Sequence, residues 1–328
     1  MTEKNVVTAI HDVLHEEMAS DERMVVLGED VGARGGVFRV TQGFLDEFGE
    51  LRVIDTPLAE GGIVGIAIGM ALHGLIPIAE IEFADFIYPA FDQILSEVAR
   101  MRYRTNGDFG LPMVIRTPWG GGVHGALYHS QSIEAFFGHI PGLKTVVPST
   151  PYDAAGMLRS AIRDPDPVLF LEHKRTYRLI SGEVPDEPYT VPIGVADVKR
   201  EGEHLTAVAY GLMLHVCLEA AQRLQEEQGV SVEVVDVRTI SPLDMATILT
   251  SVRKTGRAIV VYEDNRTYGA GAEIVASIAE EAMLDLDAPV VRIGGPDVPA
   301  MGFATHLEHA FLPDADRLFD RMLDLARY

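Results

Sequence analysis

One glutamate in this chain sits where a carboxylate can do chemistry. In the run TPLAEGGIVGIAIGMALHG, beginning at Thr56, Glu60 stands at a loop-to-helix junction directly before Gly61 and Gly62. Two residues without side chains let a planar ligand approach the backbone closely. A purely structural reading stands beside this one. A carboxylate in a helix's first turn is favoured by the helix dipole, and Gly61, Gly65 and Gly69 at four-residue spacing allow close helix packing. The sequence contains no Walker A string, and its one Gly-x-Gly-x-x-Gly string, at 120–125, runs on into histidine- and serine-rich sequence and not into a helical pattern, so neither phosphate-loop reading holds. A second constellation, PWGGGVHGALYHSQSIEAFFGH, runs from Pro118 to His139 and gathers a glycine run, three histidines and two serines. It can deliver His129 into a site as a proton donor near neutral pH. Equally, it can be a glycine-rich connection whose histidines bond locally. His124, His129 and His139 match neither His-Glu-x-x-His nor a zinc-finger spacing. Ser130 and Ser132 lack the Gly-x-Ser-x-Gly context of a hydrolase nucleophile. Glu29 and Asp30, at the carboxyl end of a strand, can face a ligand or cap a helix.

The elements that must position these residues alternate in type. Short β-branched runs predict strands over 24–27, 76–82, 113–116, 144–147 and 168–171, and helical patterns cover 6–18, 62–72, 90–103 and 151–163. That alternation argues for a doubly wound parallel sheet covered by helices. The segment SGEVPDEPYTVPIG from Ser181 holds three prolines and little periodicity, and its portion 183–194 is expected to be an extended linker. Beyond it the pattern restarts, with strands over 205–210, 232–236, 258–263 and 290–293 and helices over 214–228, after Pro242, and over 272–284. The expected organisation is α/β: a first domain over 1–182 and a smaller one over 195–328.

Composition narrows the function. The chain has 328 residues, with 27 Lys+Arg against 49 Asp+Glu, a formal net charge of -22. Such a surface repels phosphate backbones and anionic membranes, and the Arg-Tyr-Arg cluster within 101–104 reads as a helix end paired to acids. One cysteine, Cys217, excludes an intrachain disulfide and a thiolate zinc site, a usage that fits a reducing cytoplasm. The start, MTEKNVVTAIHDVLHEEM, lacks a signal peptide's apolar core and reads as mature sequence. The most apolar stretch, 61–79, is interrupted by His73, Gly74 and Pro77, short of the roughly 20 residues that span a bilayer.

Taken together these residues resemble the beta subunit of the decarboxylating component of 2-oxo acid dehydrogenase complexes, a member of the transketolase-like thiamine enzymes. The resemblance extends over essentially the whole chain and is carried by LGEDVGARGGVFRVT from Leu27, DTPLAEGGIVGIAIGMA from Asp55, AEIEFADFIYPAFDQI from Ala79, HGALYHSQSIEAFFGHIPGLKTVVPSTPYDAAG from His124, SAIRDPDPVLFLEHKRTYR from Ser160 and VEVVDVRTISPLD from Val232. It implies that the first domain binds the aminopyrimidine of thiamine diphosphate with Glu60 at the ring nitrogen N1′. A carboxyl of raised pKa there shares a proton with the ring and favours the imino tautomer, whose 4′-nitrogen removes the thiazolium C2 proton. By the same resemblance Leu58 and Phe86 line the pyrimidine pocket, Phe86 replacing a tyrosine of some members. Glu82 stands where glutamine is common, which would crowd a second carboxylate against Glu60. His129 aligns with the histidine linked to acyl transfer onto the lipoyl arm. Main-chain carbonyls of Met113, Ala161, Ile162, Asp164 and Asp166 align with a potassium site, although asparagine is common at the last position.

The Gly-Asp-Gly motif that such enzymes use to hold magnesium on the diphosphate is absent. An alpha subunit is therefore expected to supply it within an α₂β₂ heterotetramer. The second domain resembles the transketolase carboxyl-terminal domain, expected to support subunit packing and docking to the lipoyl acyltransferase core. HGALYHSQSIEAFFGH and EIEFADFIYPAFDQI look more like members acting on branched-chain 2-oxo acids, while STPYDAAGMLRSAIRDPDPVLFLE is shared with pyruvate-type members. Branched-chain substrates are the expectation and pyruvate the alternative. A stand-alone transketolase or deoxyxylulose-phosphate synthase would need both half-sites in one chain. A non-catalytic regulatory or binding protein on the same fold would have no use for Glu60 and His129 in their motifs.

Overall fold

Strands buried along their whole length come first in this architecture, because a parallel sheet covered on both faces must be built from continuous apolar runs. The computed structural model describes all residues, Met1–Tyr328, and they form two compact units, one of Met1–Trp119 with Phe136–Ile193 and one of Gly120–Ala135 with Gly194–Tyr328. In the first unit a short β1 (Thr2–Asn5) precedes β2 (Met24–Gly28), β3 (Val53–Asp55), β4 (Ile76–Glu80), β5 (Val114–Trp119), β6 (Lys144–Val146), β7 (Val168–His173) and β8 (Ser181–Val184). Six of these pair in the order β6-β7-β5-β4-β2-β3, and every pairing among them is parallel. The chain runs from β2 outward to β3 and then crosses back to β4 on the other side of β2. That reversal places a topological switch point at the carboxyl ends of β2 and β4, the position where open α/β sheets form ligand crevices.

Helices Val6–Ser20 and Pro151–Ile162 pack on this sheet through Ile10, Leu14, Met157 and Leu158. Each starts at a side-chain cap, Asn5 accepting from the Thr8 N–H and Thr150 from the Asp153 N–H, with Pro151 at the first helical position, where its missing N–H costs nothing. Two expectations are revised here. The segment 183–194, read as a linker, is packed on the first unit as far as Ile193: β8 pairs antiparallel with β1, and the Val191 N–H donates to the Gly156 carbonyl at 3.0 Å. The helix read over 90–103 is instead a 3-10 turn, Tyr88–Ala90, a π segment, Gln93–Val98, and a final turn, Met101–Arg104.

The second unit holds β9 (Asp197–Arg200), β10 (Leu205–Ala209), β11 (Val232–Asp236), β12 (Thr239–Ser241), β13 (Ala258–Asn265) and β14 (Val291–Gly295). Its sheet has the order β14-β13-β10-β11-β9, parallel except for the edge strand β9. Helices Leu212–Gln228 and Ala315–Ala326 bury Leu214, Cys217, Leu318 and Met322 in one core. The residues 120–135, expected with the first domain, cluster with this unit. No helix is long and apolar enough to cross a membrane.

Candidate active site

The switch point of the first sheet collects carboxylates. Glu29 follows β2 directly, Glu82 stands two residues past β4, and Glu60 begins helix Glu60–Leu72, the helix that follows β3. The backbone around them is tightly fitted. A β-carbon at Gly28 would lie 2.5 Å from the Glu80 carbonyl oxygen, so only glycine lets β2 approach β4 this closely. The following loop closes on itself through Gly36 N–H to Asp30 O at 2.8 Å and Gly35 N–H to Gly32 O at 3.0 Å. Gly32 N–H also donates to Asp55 Oδ1 at 2.6 Å.

Glu29 is 5% exposed, and neither of its carboxylate oxygens has a partner in hydrogen-bonding geometry. Burial first, then the charges of Glu60, Glu82 and Asp30, push its carboxyl up to about 7, with only the Ala59 N–H acting in the other direction. Glu82 is half-buried, and its carboxyl is raised by burial first and then by Asp30, Glu80 and Glu60, against the lone opposing charge of Arg34. That guanidinium is already 3.2 Å from Asp30. Glu60 itself is half-buried. The adjacent glycines serve packing as well: β-carbons at Gly61 and Gly65 would face Pro89 and Gln93, while Gly69 faces open space. Leu58 is 81% exposed. Phe86 is half-buried, its ring edge-on to Phe83 at 5.7 Å. Behind the acids, Arg116 on β5 is enclosed between Glu80 on β4, at 2.6 Å, and Glu172 on β7, at 2.7 and 2.8 Å, and the Tyr177 hydroxyl donates to Glu172 at 2.5 Å.

The histidine segment belongs to the second unit, and carboxylates explain why. Gly121 N–H donates to Glu263, and Gly122 and His124 N–H both donate to Glu308 Oε1 at 3.0 Å. His124 Nδ1 also lies 2.9 Å from Glu308. The Tyr210 hydroxyl donates to the enclosed Glu134 at 2.9 Å. Burial first and then the Asp264 charge hold the Glu134 carboxyl well above its usual range, and Asp264 is itself pushed to about 6, chiefly by burial. His129 is half-buried after the turn Ala126–Tyr128. No sequence motif pointed to Glu263, Glu308 or Tyr210 as the anchors of this segment. No group of three His, Cys, Asp or Glu side chains is arranged to hold a metal ion.

Of the carbonyl set, Ala161, Ile162, Asp164 and Asp166 lie where helix Pro151–Ile162 turns into β7, and Met113 directly precedes β5. The Met113 and Ala161 carbonyls each accept a backbone bond, from Val168 and Asp164. The side chains of Asp164 and Asp166 are neutralised by Lys144 and Arg102.

Comparison with known proteins supplies the wider setting. Residues 2–180 match the transketolase pyrimidine binding domain and residues 194–318 the transketolase C-terminal domain. The chain is 53% identical over 328 residues to the 2-oxoisovalerate dehydrogenase subunit beta of Bacillus subtilis (strain 168), covering 100% of each. It is 52% identical over 297 residues, 90% of this chain and 91% of the relative, to the pyruvate dehydrogenase E1 component subunit beta of the same organism. A solved split-gene transketolase, described as an inactive beta4 tetramer, superposes with a TM-score of 0.79 over 98% of each chain at 24% identity, a likeness of fold.

Proposed function

The chain belongs to the 2-oxo acid dehydrogenase beta subunits of the transketolase-like thiamine enzymes, and from this we propose that it provides the pyrimidine half of a thiamine diphosphate site in an enzyme that decarboxylates branched-chain 2-oxo acids. The observation that supports this most directly is the convergence of Glu29, Glu60 and Glu82 on the switch point of the first sheet, with the Glu29 carboxyl enclosed and unpartnered. Such a group calls for a ligand with polar ring atoms. Bound there, thiamine diphosphate would supply a carbon nucleophile for the 2-oxo acid carbonyl and an electron sink for the pair left behind when carbon dioxide departs.

The protein's part is to hold the ring and its proton. Glu60, at the start of its helix, accepts and returns the proton at N1′. Leu58 and Phe86 cover the ring's apolar surface, and the exposed Leu58 is covered once an alpha subunit completes the site. His129 supplies a proton during acyl transfer to the lipoyl group. Magnesium and the diphosphate are held by the alpha subunit in an α₂β₂ heterotetramer. Potassium is held by the neutral carbonyls of Met113, Ala161, Ile162, Asp164 and Asp166, whose neighbouring acids are already paired. The division into a pyrimidine-binding domain over 1–182 and a carboxyl-terminal domain over 195–328 that docks the acyltransferase, and a cytoplasmic location, belong to the same reading. A second reading, pyruvate as substrate, is favoured by the 52% identity to a pyruvate dehydrogenase subunit.

Reconstitution tests both readings. The chain alone should be inactive and should gain decarboxylation with its alpha partner and thiamine diphosphate, with 2-oxoisovalerate the better substrate. A preference for pyruvate would select the second reading, and turnover of neither would end both. In the same assay Glu60→Gln should lower kcat by about 100-fold or more with folding intact, the usual scale of a lost proton-transfer group. His129→Ala should slow lipoyl acylation and spare decarboxylation; unchanged acylation would remove that role.

A further inference from the structure

Resting on the function proposed above, the acid cluster carries a further consequence. Three carboxylates, Glu29, Glu60 and Glu82, reach the same switch point from the ends of β2 and β4 and from the helix after β3. The loop after β2 brings Asp30 and Arg34, which pair with each other at 3.2 Å. Strand β4 brings Glu80, which Arg116 engages at 2.6 Å. The helix brings the Ala59 N–H and Glu60. Arg34, the cation that lowers the Glu82 carboxyl, is already paired with Asp30, Lys174 lies 5.7 Å over the Phe83 ring beside Glu82, and the most enclosed of the three acids, Glu29, faces only the Ala59 N–H, with neither oxygen in full hydrogen-bonding geometry.

A ring seated over this cluster removes the water that still screens it, so binding raises the cost of every carboxylate left ionised. We propose that Glu29 and Glu82 hold one proton between them and that seating the cofactor's pyrimidine takes up that proton from solvent. Glu82 thereby becomes a cofactor-binding residue that acts as a neutral acid, donating a hydrogen bond, while Glu60 keeps its own exchange with the ring. The sign follows from linkage: a bound state that carries one proton more than the free state loses affinity as pH rises, about tenfold per pH unit once the free pair is ionised.

The test uses the heterotetramer of the full chain with its alpha subunit and thiamine diphosphate as the probe. Titration calorimetry in buffers of different ionisation enthalpy counts protons taken up on binding near pH 8. The parent should take up close to one proton more than Glu29→Gln/Glu82→Gln, which keeps Glu60, and its Kd should weaken with rising pH about tenfold per unit more steeply than that of the double variant. Glu82→Gln alone, at a half-buried position, should flatten the dependence in part and guards against misfolding of the double variant. Equal proton uptake by parent and variants, or a flat parent profile with binding intact, would overturn this proposal and leave the function reading standing. Absence of binding at every pH would overturn the function reading and this proposal with it.

Discussion

An enclosed carboxyl without a partner burdens the fold far more in its ionised form than in its neutral one. Glu29 is such a group, held to about 7 by burial and by its acidic neighbours. Its folded-state value lies above the unfolded one, so between roughly pH 4.5 and pH 7 the folded chain binds more protons than the unfolded chain and stability falls as pH rises. Glu29→Gln, which cannot ionise, should therefore stabilise the full chain at pH 8 by ~1–2 kcal/mol, an amount that allows for solvent screening, and should have little effect at pH 4.5. Urea midpoints at the two pH values measure this, and equal shifts at both would show that Glu29 is not the titrating group. Glu60 was legible in the sequence because its glycine neighbours are unusual. Glu29 was legible only as an acid at a strand's end, since the charges that raise its carboxyl include Glu60 and Glu82, which lie in other segments of the chain.

Elements in this protein owe part of their order to a charge ladder across three strands. Arg116 is 1% exposed and joins Glu80 on β4 to Glu172 on β7, which keeps its guanidinium charged: the two carboxylates outweigh the effect of burial. A β-carbon at Gly36 would lie 2.9 Å from Glu80 Oε1, so the same ladder touches the loop that carries Glu29. Arg116→Met would leave two enclosed carboxylates without a cation and should destabilise the chain by about 3–5 kcal/mol. Adding Glu80→Gln and Glu172→Gln should recover part of that loss. Denaturation midpoints that show no recovery would mean that Arg116 acts by packing alone. The long strands and helices around this ladder follow from apolar runs and helical periodicity, as in β2, β7 and the helix Leu212–Gln228. Short or edge strands left no such trace: β3 has three residues, and β1, β8 and β9 are half exposed and lie on polar sequence. The helix read over 90–103 kept its apolar spacing but lost its regular bonding to the π segment Gln93–Val98, since periodicity reports a buried face and not the hydrogen-bond register.

For the molecule as a whole, a net charge of -22 makes a basic docking module the electrostatically complementary partner. Binding of the acyltransferase's docking region to the chain together with its alpha subunit should weaken steeply as salt rises from ~0.05 to ~0.5 M, because surface charges are screened over a shorter distance. A salt-independent affinity would point to an apolar docking surface instead. The sequence alone was sufficient for the α/β class, because the alternation of apolar strand runs with helical patterns is written in local spacing, whereas Glu60 and His129 drew notice by their glycine and histidine contexts and took their roles only from the family resemblance. Tertiary structure decided where the segment Gly120–Ala135 belongs, since its glycines and His124 are held by Glu263 and Glu308, which come more than a hundred residues later. It also decided that Glu29 joins Glu60 and Glu82 and that Arg116 answers Glu80 and Glu172. Hydrophobic periodicity is a property of neighbours along the chain, whereas the partner of a buried charge is chosen by which strand ends the topology brings together.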